Sequence, residues 1–97
     1  MEIDFQDQRV ALVETDRAAD SRFPIEVINS LRQKLHVIRQ APDERTLRGW
    51  RSLHYEKLAG REDQRSIRIN KQWRLVFRID TQSRPNKITV LGVEDYH

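Results

Sequence analysis

Cysteine is absent from the 97-residue chain, which excludes disulfides and thiolate metal sites. No apolar run approaches the length of a membrane span, and the opening MEIDFQDQRV lacks the pattern of a secretory signal. A cytoplasmic protein without a membrane partner is expected. The three histidines have no flanking cysteine or carboxylate pattern, so no metal motif forms around them. Neither a glycine-rich phosphate loop nor a serine-nucleophile motif is present. No metal or other cofactor is therefore expected. Repeats, low-complexity tracts and linkers are missing too, and the length suits one domain over residues 1–97.

What remains is polar but not disordered in composition, with 37% hydrophobic and 34% charged residues. The charge is unevenly spread. Residues 1–47 hold seven Lys/Arg against nine Asp/Glu, a net of −2, whereas residues 48–97 hold eleven against six, a net of +5. A basic half on such a domain suggests a polyanionic partner, nucleic acid being the commonest, or else a solvated basic face.

The hydrophobic period changes once along the chain. Met1–Phe5 alternates as a short strand, and residues 7–15 suggest a first helix. After a polar connection from Ala18 to Phe23, Pro24 opens a second helix, with Ile28, Leu31, Leu35 and Ile38 on one stripe. Pro42 ends it, Asp43–Arg48 forms one more helical turn, and Gly49 stops that turn. From there the period is two. Strands are predicted at Leu53–Leu58, Ser66–Asn70, Trp73–Ile79 and Lys87–Val93, with Glu94–His97 as an exposed tail. Asn70-Lys71-Gln72 reads as a hairpin turn in which asparagine tolerates positive φ. The order gives an α+β domain: an N-terminal strand, two helices, then a mostly antiparallel sheet of about four further strands.

Alternation assigns apolar side chains to one face of these strands. The other face would carry His54, Arg68, Arg74 and Lys57, with Arg65 nearby. Clustered cations repel, and an anionic ligand such as an RNA phosphate resolves the repulsion. Arg74 and Arg68 can clamp phosphate through the guanidinium fork, or can pair with a carboxylate such as Glu94 or Asp95. Histidine as a residue type has its ordinary range near neutrality, so His54 and His97 suit proton transfer at an RNA hydroxyl, although a lone histidine is more often structural. Tyr96 can stack on a base or pack the tail against the sheet. Trp50 and Trp73 read as core or core-edge residues, and His36 has no assigned role.

The run Ser66-Ile67-Arg68-Ile69-Asn70-Lys71-Gln72-Trp73-Arg74-Leu75-Val76-Phe77, with the ending Val93-Glu94-Asp95-Tyr96-His97, resembles the HigB branch of the RelE/ParE toxins. Gly49-Trp50 and Leu53–Leu58 resemble the segment leading into that core, so the similarity spans nearly the whole chain. The resemblance implies a microbial-RNase-like, RelE-like fold and metal-independent, ribosome-dependent cleavage of messenger RNA. It implies 2′,3′-cyclic phosphate ends and a role as toxin of a type II toxin–antitoxin system. Its partners would be a HigA-type helix-turn-helix antitoxin, the ribosome and mRNA, with operator DNA reached only through the antitoxin. Carried over by position, the catalytic set is His54, Lys57, Arg68, Arg74, Asp95, Tyr96 and His97. Arg61, Arg65, Lys71 and Arg78 would bind RNA or the ribosome. The chain departs from its relatives at Leu58-Ala59-Gly60-Arg61-Glu62-Asp63, where a basic residue is missing at Ala59 and two acids are added. Two other readings stay open: a ParE-like gyrase poison, and a degenerate toxin kept as a non-catalytic co-repressor.

Overall fold

A computed structural model describes residues 1–95. Tyr96 and His97, both site candidates, lie outside the described residues. The architecture is α+β, as the change of period requires. Strand β1 (Glu2–Phe5) leads into α1 (Gln8–Leu12), a 3₁₀ turn (Ala18–Ser21), the long helix α2 (Ile25–Gln40) and the short α3 (Glu44–Gly49). A second 3₁₀ turn (Arg51–Leu53) precedes β2 (Glu56–Lys57), β3 (Gln64–Arg68), β4 (Trp73–Asp80) and β5 (Lys87–Asp95). The five strands form one sheet in the order β1-β5-β4-β3-β2. All neighbours are antiparallel except β1 and β5, which run parallel. Among the described residues no helix is long and apolar enough to cross a membrane.

The helices form where local chemistry supports them. Asp7 caps α1 by accepting from the Arg9 and Val10 amides, and Asp43 caps α3 by accepting from the Thr46 amide. Pro24 stands just outside α2, as its N-cap in extended geometry, rather than within its first turn. Val27, Ile28, Leu31, Leu35 and Ile38 are buried, so the predicted stripe is the face that packs on the sheet. The amino group of Met1 donates to the carbonyls of Ile38, Arg39 and Ala41, satisfying acceptors that the end of α2 leaves open. Against these helices the sheet presents Ile67, Ile69, Leu75, Phe77, Ile88 and Val90. Full burial of each large side chain contributes about 1.5–3 kcal/mol.

Several expectations need correction. The first helix is only the five residues of α1. The predicted strand Leu53–Leu58 shrinks to two residues, because Leu53 closes a 3₁₀ turn and His54 is left-handed at φ 47°. The turn after β3 does not use positive φ at asparagine. Asn70 instead accepts from the Gln72 and Trp73 amides through Oδ1. Glu94 and Asp95 are not tail residues but the last two of β5. Trp50 is no core residue, being 46% exposed, whereas Trp73 does pack against the core.

One register irregularity shapes the site. Val76 pairs with Gly92 but Phe77 pairs with Val90, so Leu91 bulges out of the β5 ladder. The bulge realigns the end of β5, bringing Glu94 opposite Arg74.

Candidate functional site

The sheet face away from the helices is built by register. Arg68 is opposite Arg74, Arg74 opposite Glu94, and Glu56 opposite Ser66, which is opposite Val76. Side chains alternate along each strand. Since Leu75 and Phe77 enter the core, Arg74, Val76 and Arg78 project to the other side, as do Ser66 and Arg68. Of the expected cationic face, only Arg68 and Arg74 therefore share one side, and Arg78 projects to that side as well.

The same register removes two expected members. Lys57 pairs with Arg65, and Arg65 with the core residue Phe77. Both occupy positions of the helix-facing side, at the sheet's edge, so neither joins Arg68 and Arg74. His54 is not on a strand at all; it is exposed, just ahead of β2. Asp95 is exposed beside Trp73 at the end of β5. Lys71 is exposed in the turn between β3 and β4.

The face is not purely cationic, because carboxylates interleave with the arginines. Arg74 has Glu56 Oε2 at 3.9 Å and Glu94 Oε1 at 3.9 Å. Glu94 also receives both terminal nitrogens of Arg61, at 2.7 and 3.0 Å. The hydrogen bonds from Arg61 hold the Glu94 carboxyl below its usual range, although burial opposes this. The same contact raises Arg61. Beside it, Arg78 donates to Asp63 at 2.8 Å, which lowers the Asp63 carboxyl. The segment from Leu58 to Asp63 is thereby strapped to the open face by two ion pairs. Of the two added acids, Asp63 is accounted for by Arg78, and Arg61 in the same segment answers Glu94. Leu58, Ser66 and Val76 are buried although outside the main core. Ser66 Oγ has no hydrogen-bond partner among the described residues.

Glu56 is the site residue that the sequence reading missed. Its signal was weak, because it falls within a stretch read as a longer strand, and its neighbour Arg74 is distant in sequence. Among the described residues no group of three His, Asp or Glu side chains could hold a metal ion. What the arrangement can do is bind anions, using planar guanidiniums aligned over a sheet with exposed carboxylates at their edge.

The site is thus an open face of interleaved arginines and carboxylates on a mostly antiparallel sheet backed by helices. A family model described as RelE-like toxin of type II toxin-antitoxin system HigB matches residues 3–97, and the chain belongs to that family. A solved YoeB/ParE toxin from Agrobacterium tumefaciens is similar in fold, with a TM-score of 0.56, 14% identity and 100% of each chain covered. No curated protein matches the chain in sequence. Membership of a type II system implies an antitoxin as partner.

Proposed function

We propose that this toxin is a metal-independent endoribonuclease that cuts messenger RNA on the ribosome in the cytoplasm. The observation that carries the reading is the cross-strand pair Arg68 and Arg74 on the open face, which supplies two adjacent guanidiniums for one phosphodiester. The 2′-hydroxyl oxygen attacks the adjacent phosphorus and gives its proton to a base, while the departing 5′-oxygen takes a proton from an acid. The products are a 2′,3′-cyclic phosphate and a 5′-hydroxyl. Arg68 and Arg74 stabilise the charge that grows on the phosphorane oxygens. His54 and His97 share the proton transfers, with Asp95 orienting His97 or Arg74 and Tyr96 stacking the nucleotide. Lys57, which the register puts on the other side of the sheet from Arg68 and Arg74, reaches RNA only around the edge strand, and Arg61, Arg65, Lys71 and Arg78 contact RNA or the ribosome. A HigA-type antitoxin with a helix-turn-helix neutralises the toxin and carries it to operator DNA.

The test adds purified protein to ribosomes programmed with a defined message, with the same RNA free in solution as control. Codon-phased breaks only on ribosomes, ending in cyclic phosphate, support the reading. Intact message alongside trapped gyrase–DNA complexes would replace it with the gyrase poison. An absence of both activities, and of any growth defect on induction, would leave the co-repressor.

A further inference from the structure

The Glu94 carboxylate sits between two arginines that come from different parts of the chain. Arg61, from the strap, grips it with both terminal nitrogens at 2.7 and 3.0 Å. Arg74, from β4, approaches the same Oε1 with Nη2 at 3.9 Å. Gln64 accepts from Arg61 Nη1 at 3.4 Å and steadies the fork. Two guanidiniums converging on one carboxylate make an anion site, and here the occupant is the protein's own side chain. A bidentate fork that fits a carboxylate also fits two oxygens of a phosphodiester. The site stays open to solvent, since the Arg61 and Glu94 side chains are 38% and 39% exposed. Among the described residues of the cluster, three guanidiniums (Arg61, Arg68, Arg74) accompany two carboxylates (Glu56, Glu94).

We propose that Arg61 and Arg74 together form a phosphodiester subsite of the RNA-binding face, and that Glu94 occupies it in the free protein as a surrogate that bound RNA displaces. The proposal rests on the nuclease reading for the identity of the ligand, but it adds a second phosphate ligand and a resident competitor. Arg61 changes partner from carboxylate to phosphate, so the strap's hold on β5 loosens when RNA binds. Exposed ion pairs are individually weak, and such an exchange is within reach of a polyanion.

The proposal reverses the usual expectation for a charged residue in a binding site, because removing Glu94 should strengthen binding. The probe is an uncleavable 2′-O-methyl RNA oligonucleotide, with affinity read by fluorescence anisotropy. Glu94→Gln should bind about two- to fivefold more tightly than the wild type. Glu62→Gln removes the same charge from the exposed loop outside the cluster and should gain less. In an Arg61→Met background the gain from Glu94→Gln should vanish, and Arg61→Met alone should bind about fivefold more weakly. The proposal is overturned if Glu94→Gln gains no more than Glu62→Gln, or if its gain survives without Arg61. Should Glu94→Gln not fold, Arg61→Met decides alone, and unchanged affinity would overturn the subsite. Because binding is read without cleavage, a negative result here leaves the ribosome assay untouched. Failure of the ribosome assay likewise leaves the subsite to be judged on binding.

Discussion

Arg68 and Arg74 stand directly opposite one another on β3 and β4, two like charges in a cross-strand position where opposite charges are the favourable arrangement. Such juxtapositions cost about 0.2–1 kcal/mol, and the neighbouring Glu56 and Glu94 offset part of that cost. A charge pattern that works against the sheet suits a site shaped by its ligand. Replacing Arg68 by glutamine should therefore lower ribosome-dependent cleavage by about 10²-fold, the scale of one lost charge-stabilising donor. Stability should be unchanged or slightly higher. Arg74→Lys keeps the charge and loses the fork, and should fall comparably in activity. Single-turnover cleavage and thermal melting of the same preparations check both. A loss of melting temperature in parallel with activity would reduce these residues to structural supports.

Much of this arrangement was legible before the fold was known. The stripe through Leu31, Leu35 and Ile38, and the alternation of Leu75 and Phe77 against Arg74 and Arg78, needed only the periods of helix and strand. The parts that escaped depend on contacts made at a distance. Lys57 looked like a companion of Arg74 until pairing with Arg65 put it on the other side, because a short edge strand has too few residues to declare its phase. The left-handed turn at His54 broke an alternation that seemed continuous. The partnership of Arg61 with Glu94 joins residues 33 positions apart, and no local pattern encodes it.

Tyr55 donates a 2.5 Å hydrogen bond to Glu44, tying the chain just before β2 to α3. Burial first, and then this bond, push the phenol well above its usual range, so the hydroxyl stays protonated and available as a donor. The Glu44 side chain is only 14% exposed, although Arg48 lies 3.0 Å away. Tyr55→Phe leaves that carboxylate short of a partner while keeping the ring edge-on to Phe77. It should destabilise the fold by about 1–3 kcal/mol, measured by urea denaturation. A change below about 0.5 kcal/mol would mean that water replaces the hydroxyl without cost.

The strap should respond to acid in a defined direction. Glu94 and Asp63 are both held below their ordinary values of 4.5 and 3.8, chiefly by hydrogen bonds from Arg61 and Arg78. A carboxyl with a depressed folded pKa contributes stability above its unfolded pKa and loses it as pH falls through the folded value. Wild-type melting temperature should therefore decline as pH drops below about 4.5. The double variant Glu94→Gln, Asp63→Asn should start lower near neutrality and show a shallower decline. The curves should converge in strong acid, and parallel curves at all pH values would show that neither ion pair contributes.

Phe77 is completely buried at the centre of β4, in the layer that α2 covers. Phe77→Ala removes the largest fully buried side chain among the described residues, and burial loss plus the residual cavity should cost about 3–5 kcal/mol. Domains of this size are stable by about 5–15 kcal/mol, so the variant should remain folded only in the cold or with its antitoxin. Circular dichroism melting checks this, and a drop of only a few degrees would indicate that the core refills the space.

Two glycines should answer to alanine with opposite signs. Gly92 flanks the β5 bulge, and a Cβ built on it lies 3.3 Å from Asp7 Oδ2. That same carboxylate caps α1 through its other oxygen, with the Arg9 amide at 2.8 Å. Gly92→Ala must push the cap aside, and the expected loss is about 1 kcal/mol. Gly49, the last residue of α3, has nothing within 4 Å of a new Cβ and no left-handed backbone. Gly49→Ala should stabilise by about 0.5–1 kcal/mol through helix propensity and a less flexible unfolded chain. Repeating Gly92→Ala in an Asp7→Ala background isolates the contact at Asp7, because the loss of melting temperature should shrink once that carboxylate is gone. If Gly92→Ala also stabilises, then β5 and α1 can separate enough to admit a methyl group without disturbing the cap.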